Sequence, residues 1–257
     1  MFYLIKACRV NDVMSMKRAI IIGATSGIGL EVAKCLLQQG CRLGLAGRRQ
    51  SALEEIRQLS PQQIEIQALD VREEEAVLHL QSLIGRVGGM DLFLLSSGIG
   101  FQNPALNADI ELNTARTNVE GFIRMVDAAF LYFKENGGGH LAVISSIAGT
   151  QGIGVAPAYS ATKRFQNTYI DALEQLAHLQ KLDIQFTDIR PGFVATDLLN
   201  DGKRYPMLMR VDCVARQIVQ ALERKRRVVI IDGRYRLLVF FWRLIPRWLW
   251  KRLPVHV

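Results

Sequence analysis

Several things are scarce in this chain. The 257 residues include only Cys8, Cys35, Cys41 and Cys213, none in a C-x-x-C pair, and no His/Cys cluster has the spacing of zinc ligands. A dithiol redox motif and a structural zinc site are thereby excluded, and no metal is expected. Scattered, unpaired thiols fit a reducing, cytoplasmic compartment. The N-terminal stretch has no secretory signal: its apolar run, Phe2 to Ile5, is too short for an h-region, and no small-residue cleavage site follows. We read residues 1–16 as an extension, with Met1, Met14 and Met16 as alternative translation starts. No repeat, low-complexity tract or long linker divides the chain. The longest uninterrupted apolar run of the tail, Leu237 to Trp242, is too short to span a bilayer.

What is present is the composition of a globular protein, 49% apolar and 22% charged. Acidic side chains are outnumbered, giving a net charge of +8. Much of the excess is C-terminal, between Arg224 and Arg252. A basic surface of this kind suits an anionic membrane, a phosphorylated cofactor or plain solvation. No recognised nucleic-acid reading motif accompanies it, so specific nucleic-acid binding is not expected.

Apolar runs of strand length alternate with segments of helical period. Strands are expected at Ala19–Ile22, Cys41–Ala46, Ile64–Leu69, Leu92–Leu95, His140–Ile144, Ile184–Ile189 and Val228–Ile231. Helices are expected around Leu30–Leu37, Ala52–Leu59, Glu73–Ile84, Ala108–Phe133 with a bend near Gly121, Ala158–Leu179 and Val211–Leu222. Such alternation predicts an α/β fold: one doubly wound, Rossmann-like domain over 17–233, its parallel sheet of about seven strands covered by helices on both faces. A basic, aromatic tail follows over 234–257.

The segment Gly23-Ala24-Thr25-Ser26-Gly27-Ile28-Gly29 follows the first strand and opens the first helix. Glycine permits a tight turn, a close backbone approach and close helix–strand packing, while the helix N-terminus offers N–H groups to a pyrophosphate. An ordinary strand–helix turn is the plain alternative. The spacing is G-x-x-x-G-x-G, and here the sequence resembles the short-chain dehydrogenase/reductase family, specifically its NADP-preferring carbonyl reductases. The resemblance runs from about Lys17 to Gly233.

At the end of the second strand stands Gly47-Arg48-Arg49. An NAD site usually carries an acid there for the ribose hydroxyls. Arginine instead suits a 2′-phosphate, with Arg48 preferred over Arg49. The resemblance thus implies NADP(H), with NAD(H) as the lesser choice. It also implies an adenine contact for Asp70, in Asp70-Val71, although Asp70 reads equally well as a helix cap for the segment from Glu73. Ser97 and Gly98, after the fourth strand, occupy the next cofactor-binding turn.

The strongest signal is Tyr159-Ser160-Ala161-Thr162-Lys163. Tyr and Lys four apart lie on one helix face, and a nearby ammonium favours phenolate, which would make Tyr159 a usable proton donor. Ser146 lies thirteen residues before Tyr159, at the carboxyl end of a strand, the family's spacing for a serine that holds the substrate oxygen. Ser145 is the alternative. Asn118 matches the family's helix asparagine, expected to hold a water linked to Lys163; a locally satisfied polar residue is the plain alternative. Pro191-Gly192-Phe193-Val194-Ala195-Thr196 resembles the motif beside the nicotinamide, with the Val194 N–H and the Thr196 hydroxyl on the carboxamide. Two departures stand out: Leu95-Ser96-Ser97-Gly98 replaces Asn-Asn-Ala-Gly, and Ile22 replaces a threonine before the glycine loop.

These motifs imply hydride transfer between a nicotinamide and a carbonyl carbon, with Asn118, Ser146, Tyr159 and Lys163 as the catalytic set. The segment 196–210, rich in Leu and Met, reads as a substrate lid over a lipophilic pocket, or as simple packing. A lipophilic ketone or secondary alcohol is therefore the expected small-molecule substrate. A non-catalytic NADPH-binding or scaffold protein is the competing class. A homo-oligomer, dimer or tetramer, is expected as well. The tail mixes Trp242, Trp248 and Trp250 with arginines; peripheral membrane contact and a subunit interface explain it equally. Pro246 should break any long helix there.

Overall fold

The computed structural model describes residues 17–199, 202 and 205–255. The expected N-terminal extension, with Cys8 and the alternative starts, lies outside the described residues, as do positions 200, 201, 203 and 204 of the expected lid.

Seven parallel strands form one sheet in the order β3-β2-β1-β4-β5-β6-β7. They are β1 (Arg18–Ile22), β2 (Arg42–Gly47), β3 (Ile64–Ala68), β4 (Leu92–Leu95), β5 (Gly139–Ile144), β6 (Ile184–Arg190) and β7 (Val228–Ile230). Strands such as Arg-Ala-Ile-Ile-Ile and Leu-Phe-Leu-Leu carry near-continuous apolar runs because both sheet faces are covered. In β1 the alternation divides them: Ala19 and Ile21 join one core, Ile20 and Ile22 the other. The first core also takes Val214, Ile218 and Tyr235; the second takes Phe93, Phe122 and Ile170. The chain leaves β3 to place β4 on the far side of β1, so the strand order reverses between β1 and β4. Open α/β sheets bind ligands at the carboxyl edge of such a switch point.

The helices are α1 (Gly27–Gln38), α2 (Gln50–Arg57), α3 (Ala76–Val87), α4 (Ala108–Ala115), α5 (Gly121–Glu135), α6 (Pro157–Leu179), α7 (Val211–Glu223), α8 (Gly233–Leu244) and α9 (Arg247–Trp250). Two of the expected helices differ from the sequence pattern for identifiable reasons, and α8 and α9 occupy the stretch read only as a tail. The third helix begins at Ala76 rather than Glu73, because Asp70 is forked to Arg72 and the Glu73 amide donates to the Asp70 carbonyl, closing a turn first. Asp70 is therefore not the cap of that helix. The expected bend near Gly121 is a π-helical turn over Arg116–Glu120 that joins α4 to α5. Such a turn widens the helix by one residue and is frequent at functional sites; Asn118 sits in it. Gly121 is needed at its end because a Cβ there would lie 2.6 Å from Val71 Cγ2.

A polar cluster is buried where α6 crosses β5 and β6. Asp188, fully buried, accepts from Ser145 Oγ, from Asn167 Nδ2 at 2.9 Å, and from Arg190 Nε and an Arg190 terminal nitrogen at 2.8 and 2.6 Å. Asn167 also donates to Ser145 Oγ at 2.9 Å. Removing the carboxylate would leave a buried guanidinium without its counter-charge. Asp188→Ala is therefore expected to destabilise the fold by about 3 kcal/mol or more, measured as a lowered denaturation midpoint in urea. An unchanged midpoint would show that the cluster contributes no net stability.

Candidate active site

The expected site residues converge on the carboxyl edge of the sheet. Gly23 leaves β1 at φ +90°, and a Cβ there would lie 2.6 Å from the Ser97 amide nitrogen. A Cβ on Gly29 would lie 2.3 Å from the Gly23 carbonyl oxygen. The two glycines therefore allow the loop to fold onto itself and onto the turn after β4. The amides of Gly23 and Ala24 both donate to the Ala46 carbonyl, at 2.8 and 3.0 Å, and that of Leu30 donates to Ser26. Between them, the amides of Thr25 to Gly29 have no acceptor among the described residues. Ser26, the residue before α1, makes no side-chain cap. Free donors at a helix N-terminus suit a pyrophosphate, so the residues present fit a dinucleotide.

At the end of β2, Arg48 is exposed, while Arg49 donates to both the carbonyl and the hydroxyl of Thr25 at 3.2 Å. Gly47 has no room for a side chain: its Cβ would meet Thr25 Cγ2 at 2.8 Å. An acid at that position would have to displace Thr25. Asp70, beside Val71, is held below the usual carboxylate range, chiefly by its hydrogen bonds from Arg72; Arg48 adds a smaller field in the same direction. After β6, Val194 pairs with Met209 in an isolated bridge, and the Thr196 methyl lies over Gly27, 3.3 Å from a Cβ built there. The Pro191–Thr196 segment thus closes against the glycine loop. Gly192 cannot carry a side chain either, since the Tyr235 ring occupies that space at 2.3 Å.

The four residues expected to form the catalytic set lie together. Ser146, buried at the end of β5, accepts from the Ala148 amide at 3.0 Å and points its hydroxyl toward the Pro191 carbonyl at 3.5 Å. Tyr159 and Lys163 share one face of α6, the ammonium 5.8 Å from the ring centroid. Lys163 donates to the Ile144 carbonyl and to Gln166 Oε1, both at 3.1 Å. Gln166 in turn donates to the Asn118 carbonyl at 2.9 Å. The Asn118 side chain is spent on protein: it accepts from the Ile99 amide at 2.9 Å and donates to the Ile99 carbonyl and Thr162 Oγ1 at 2.7 and 3.1 Å. It therefore locks the loop after β4 against α6 while its own carbonyl meets Gln166. A Cβ on Gly98 would lie 3.3 Å from Asn118 Oδ1 and 3.4 Å from Lys163 Nζ.

Sequence reasoning missed Ile99, Gly100, Thr162, Gln166, Asn167 and Asp188. Gly100 lies flat on the Tyr159 ring, where a Cβ would come within 2.4 Å. A signal existed for two of them: Gln166 and Asn167 follow Lys163 at helical spacing and are polar on a core-facing turn.

Electrostatics depart from the expected picture in one respect. Burial pushes the Tyr159 phenol above its usual value, with the Ser146 hydroxyl acting in the opposite direction. The same burial pushes the Lys163 ammonium down to about 8, opposed by the Asp188 charge. The lysine does not depress the phenol as expected, because desolvation drives both groups toward neutrality.

A family profile described as short chain dehydrogenase matches residues 17–204. An uncharacterized oxidoreductase of Myxococcus xanthus is 34% identical over 191 residues, covering 72% of this chain and 75% of that one. Among solved structures, 3-ketoacyl-(acyl-carrier-protein) reductase from Brucella melitensis, complexed with NADH, superposes with a TM-score of 0.75 at 22% identity, over 84% of this chain and 97% of that chain. An actinorhodin polyketide ketoreductase variant with NADPH gives a TM-score of 0.73 at 22% identity, over 84% and 96%. These two likenesses establish the shared fold.

The shifted lysine has a consequence for stability. A folded value near 8 against an ordinary 10.5 means that the unfolded chain holds the extra proton between those limits. Stability from this group therefore rises with pH across that window, and the full penalty of burying the ammonium stands below it. Lys163→Met should remove this rise, so that the variant gains on the wild type most at pH 7 and least near pH 10. Urea midpoints of both proteins across the range check it; parallel curves would reject the shift.

Proposed function

The chain belongs to the short-chain dehydrogenase family and is an NAD(P)-dependent oxidoreductase; on that premise we propose that it reduces a lipophilic ketone with NADPH, or oxidises the matching secondary alcohol. The observation that carries the reading is the meeting of Ser146, Tyr159 and Lys163 at one sheet edge, beside the free amides of the glycine loop. In this reading residues 17–233 form the reductase unit, and 196–210 cover the substrate.

NADPH, when bound, supplies the hydride; the protein supplies position and the proton. Ser146 and Tyr159 hold the carbonyl oxygen. A phenol kept protonated by burial is ready to donate as negative charge develops on that oxygen. Lys163, whose ammonium stands 5.8 Å from the centroid of the phenol ring, holds the ribose. Gln166 and the Asn118 carbonyl keep Lys163 at its height above the sheet. Arg48 takes the 2′-phosphate. The absence of any acid at Gly47, and the Thr25 methyl filling its place, support the choice of NADPH over NADH. Leu198 and Leu208, exposed on the lid, and the neighbouring Met207 support an apolar substrate. Exposed Leu131 and Leu176 support association with further copies.

Two measurements check this reading. Tyr159→Phe should lower NADPH-dependent turnover of a ketone panel (keto lipid, ketosteroid, 3-oxoacyl thioester, aromatic ketone) by about a hundredfold or more, with NADPH affinity nearly unchanged. Retained turnover would remove Tyr159 from the mechanism, and NADPH binding with no turnover of any ketone would favour a cofactor-binding scaffold. Arg48→Ala should weaken NADPH by about tenfold or more, the loss of a charge-assisted contact, and leave NADH unaffected. Equal losses for both cofactors would place the 2′-phosphate elsewhere.

A further inference from the structure

The segment from Gly233 onward has two apolar faces where one would suffice. In α8, Tyr235, Leu238, Val239 and Trp242 recur at i, i+3, i+4 and i+7, and this stripe packs into the core. Tyr235 is fully buried; its hydroxyl accepts from the Phe193 amide at 3.1 Å and donates to the Pro206 carbonyl at 3.0 Å. Behind it, α9 folds back so that Trp250 Nε1 donates to the Gly152 carbonyl at 2.7 Å, on the loop that follows Ser146. Trp242 and Trp250 stack edge to face, their centroids 5.3 Å apart.

Leu237, Phe240, Phe241 and Leu244 repeat the same spacing on the opposite side, since the helix advances about 100° per residue. All four are more than half exposed, at 59, 57, 53 and 63%, and Trp248 adds 62% beyond Pro246. Nothing in the described chain covers them. Arg236 and Arg243, seven residues apart, line one flank of this outer stripe; Arg234 lines the other. Arg236, Arg243, Arg247 and Lys251 have no carboxylate partner among the described residues. No acidic residue follows Asp232.

We propose that this outer face docks on an anionic lipid bilayer, with α8 lying in the interface plane. The occupant is chosen by charge: a stripe of Leu, Phe and Trp edged by arginines, of which Arg236 and Arg243 have no carboxylate partner among the described residues, matches acyl chains below negatively charged headgroups. A second copy of the same face would bring like charges together around the stripe. No helix among the described residues is long and apolar enough to cross a membrane, so the contact is peripheral. The inner face of the same helix holds the Phe193 and Pro206 backbone, which puts α8 between the proposed lid and the bilayer. The docking surface itself does not depend on the reductase reading.

The test is co-sedimentation of the full chain with phosphatidylcholine vesicles and with vesicles of phosphatidylcholine and phosphatidylglycerol in equal parts. Phosphatidylglycerol should raise the bound fraction by about tenfold or more, as expected for several juxtamembrane cations, and high salt should weaken the binding. Trp248 emission should shift to the blue on binding, and that shift should vanish in Trp248→Phe. The double variant Phe240→Ser/Phe241→Ser should stay in the supernatant while keeping the wild-type circular dichroism and melting temperature. Wild-type protein left in the supernatant with anionic vesicles would overturn the proposal. So would a double variant that still binds, or a dimer that the double variant dissociates while neither protein binds vesicles; the last result would assign the face to a second copy.

Discussion

The placement of α6 over the sheet depends on the buried carboxylate of Asp188. It accepts from Ser145 at the end of β5, from Asn167 on α6 and from Arg190 at the end of β6. A carboxylate taken fully out of water is tolerable only when its lone pairs are filled, so α6 has one acceptable height and rotation against β5 and β6. Asn167 lies one helical turn beyond Lys163, and Tyr159 one turn before it. Fixing Asn167 therefore fixes the phenol and the ammonium relative to Ser146, which follows Ser145 directly. The same low-polarity surroundings raise the phenol and lower the lysine. Position and protonation thus have a common origin in burial.

A second constraint is the absence of side-chain space at the sheet edge. Gly23 and Gly29 let the first loop close; Gly47 leaves room for Thr25; Gly100 lets the backbone lie on the Tyr159 ring. Gly192 does the same for Tyr235. Each is a position where the backbone, rather than a side chain, forms the wall of the site. The Tyr235 contact extends this packing from the Pro191–Thr196 segment to α8, and Trp250 extends it to the loop after Ser146. The C-terminal helices are therefore part of the support of the site as well as the carriers of an exposed apolar stripe.

The sequence by itself determined the order of the seven strands and of the helices as far as α7, because covered parallel strands need unbroken apolar runs and helices need their own period. It determined the glycine loop, Ser146, and the Tyr159–Lys163 pair, because those chemistries need particular residue types at short, fixed spacings. It also placed the break at Pro246, a local backbone effect. Only the tertiary structure decided the rest. The π turn that holds Asn118 arises where α4 and α5 both pack, and Gly121 alone could not locate it. Asp188, Asn167 and Gly100 looked ordinary because their partners are remote in the chain. The direction of the Tyr159 shift depends on how much water is excluded, and desolvation is a property of everything packed around a group. The two faces of α8 show the same division: the spacing of Leu237, Phe240, Phe241 and Leu244 was written in the chain, but which of two equal stripes faces outward was settled by the space the core had for Tyr235.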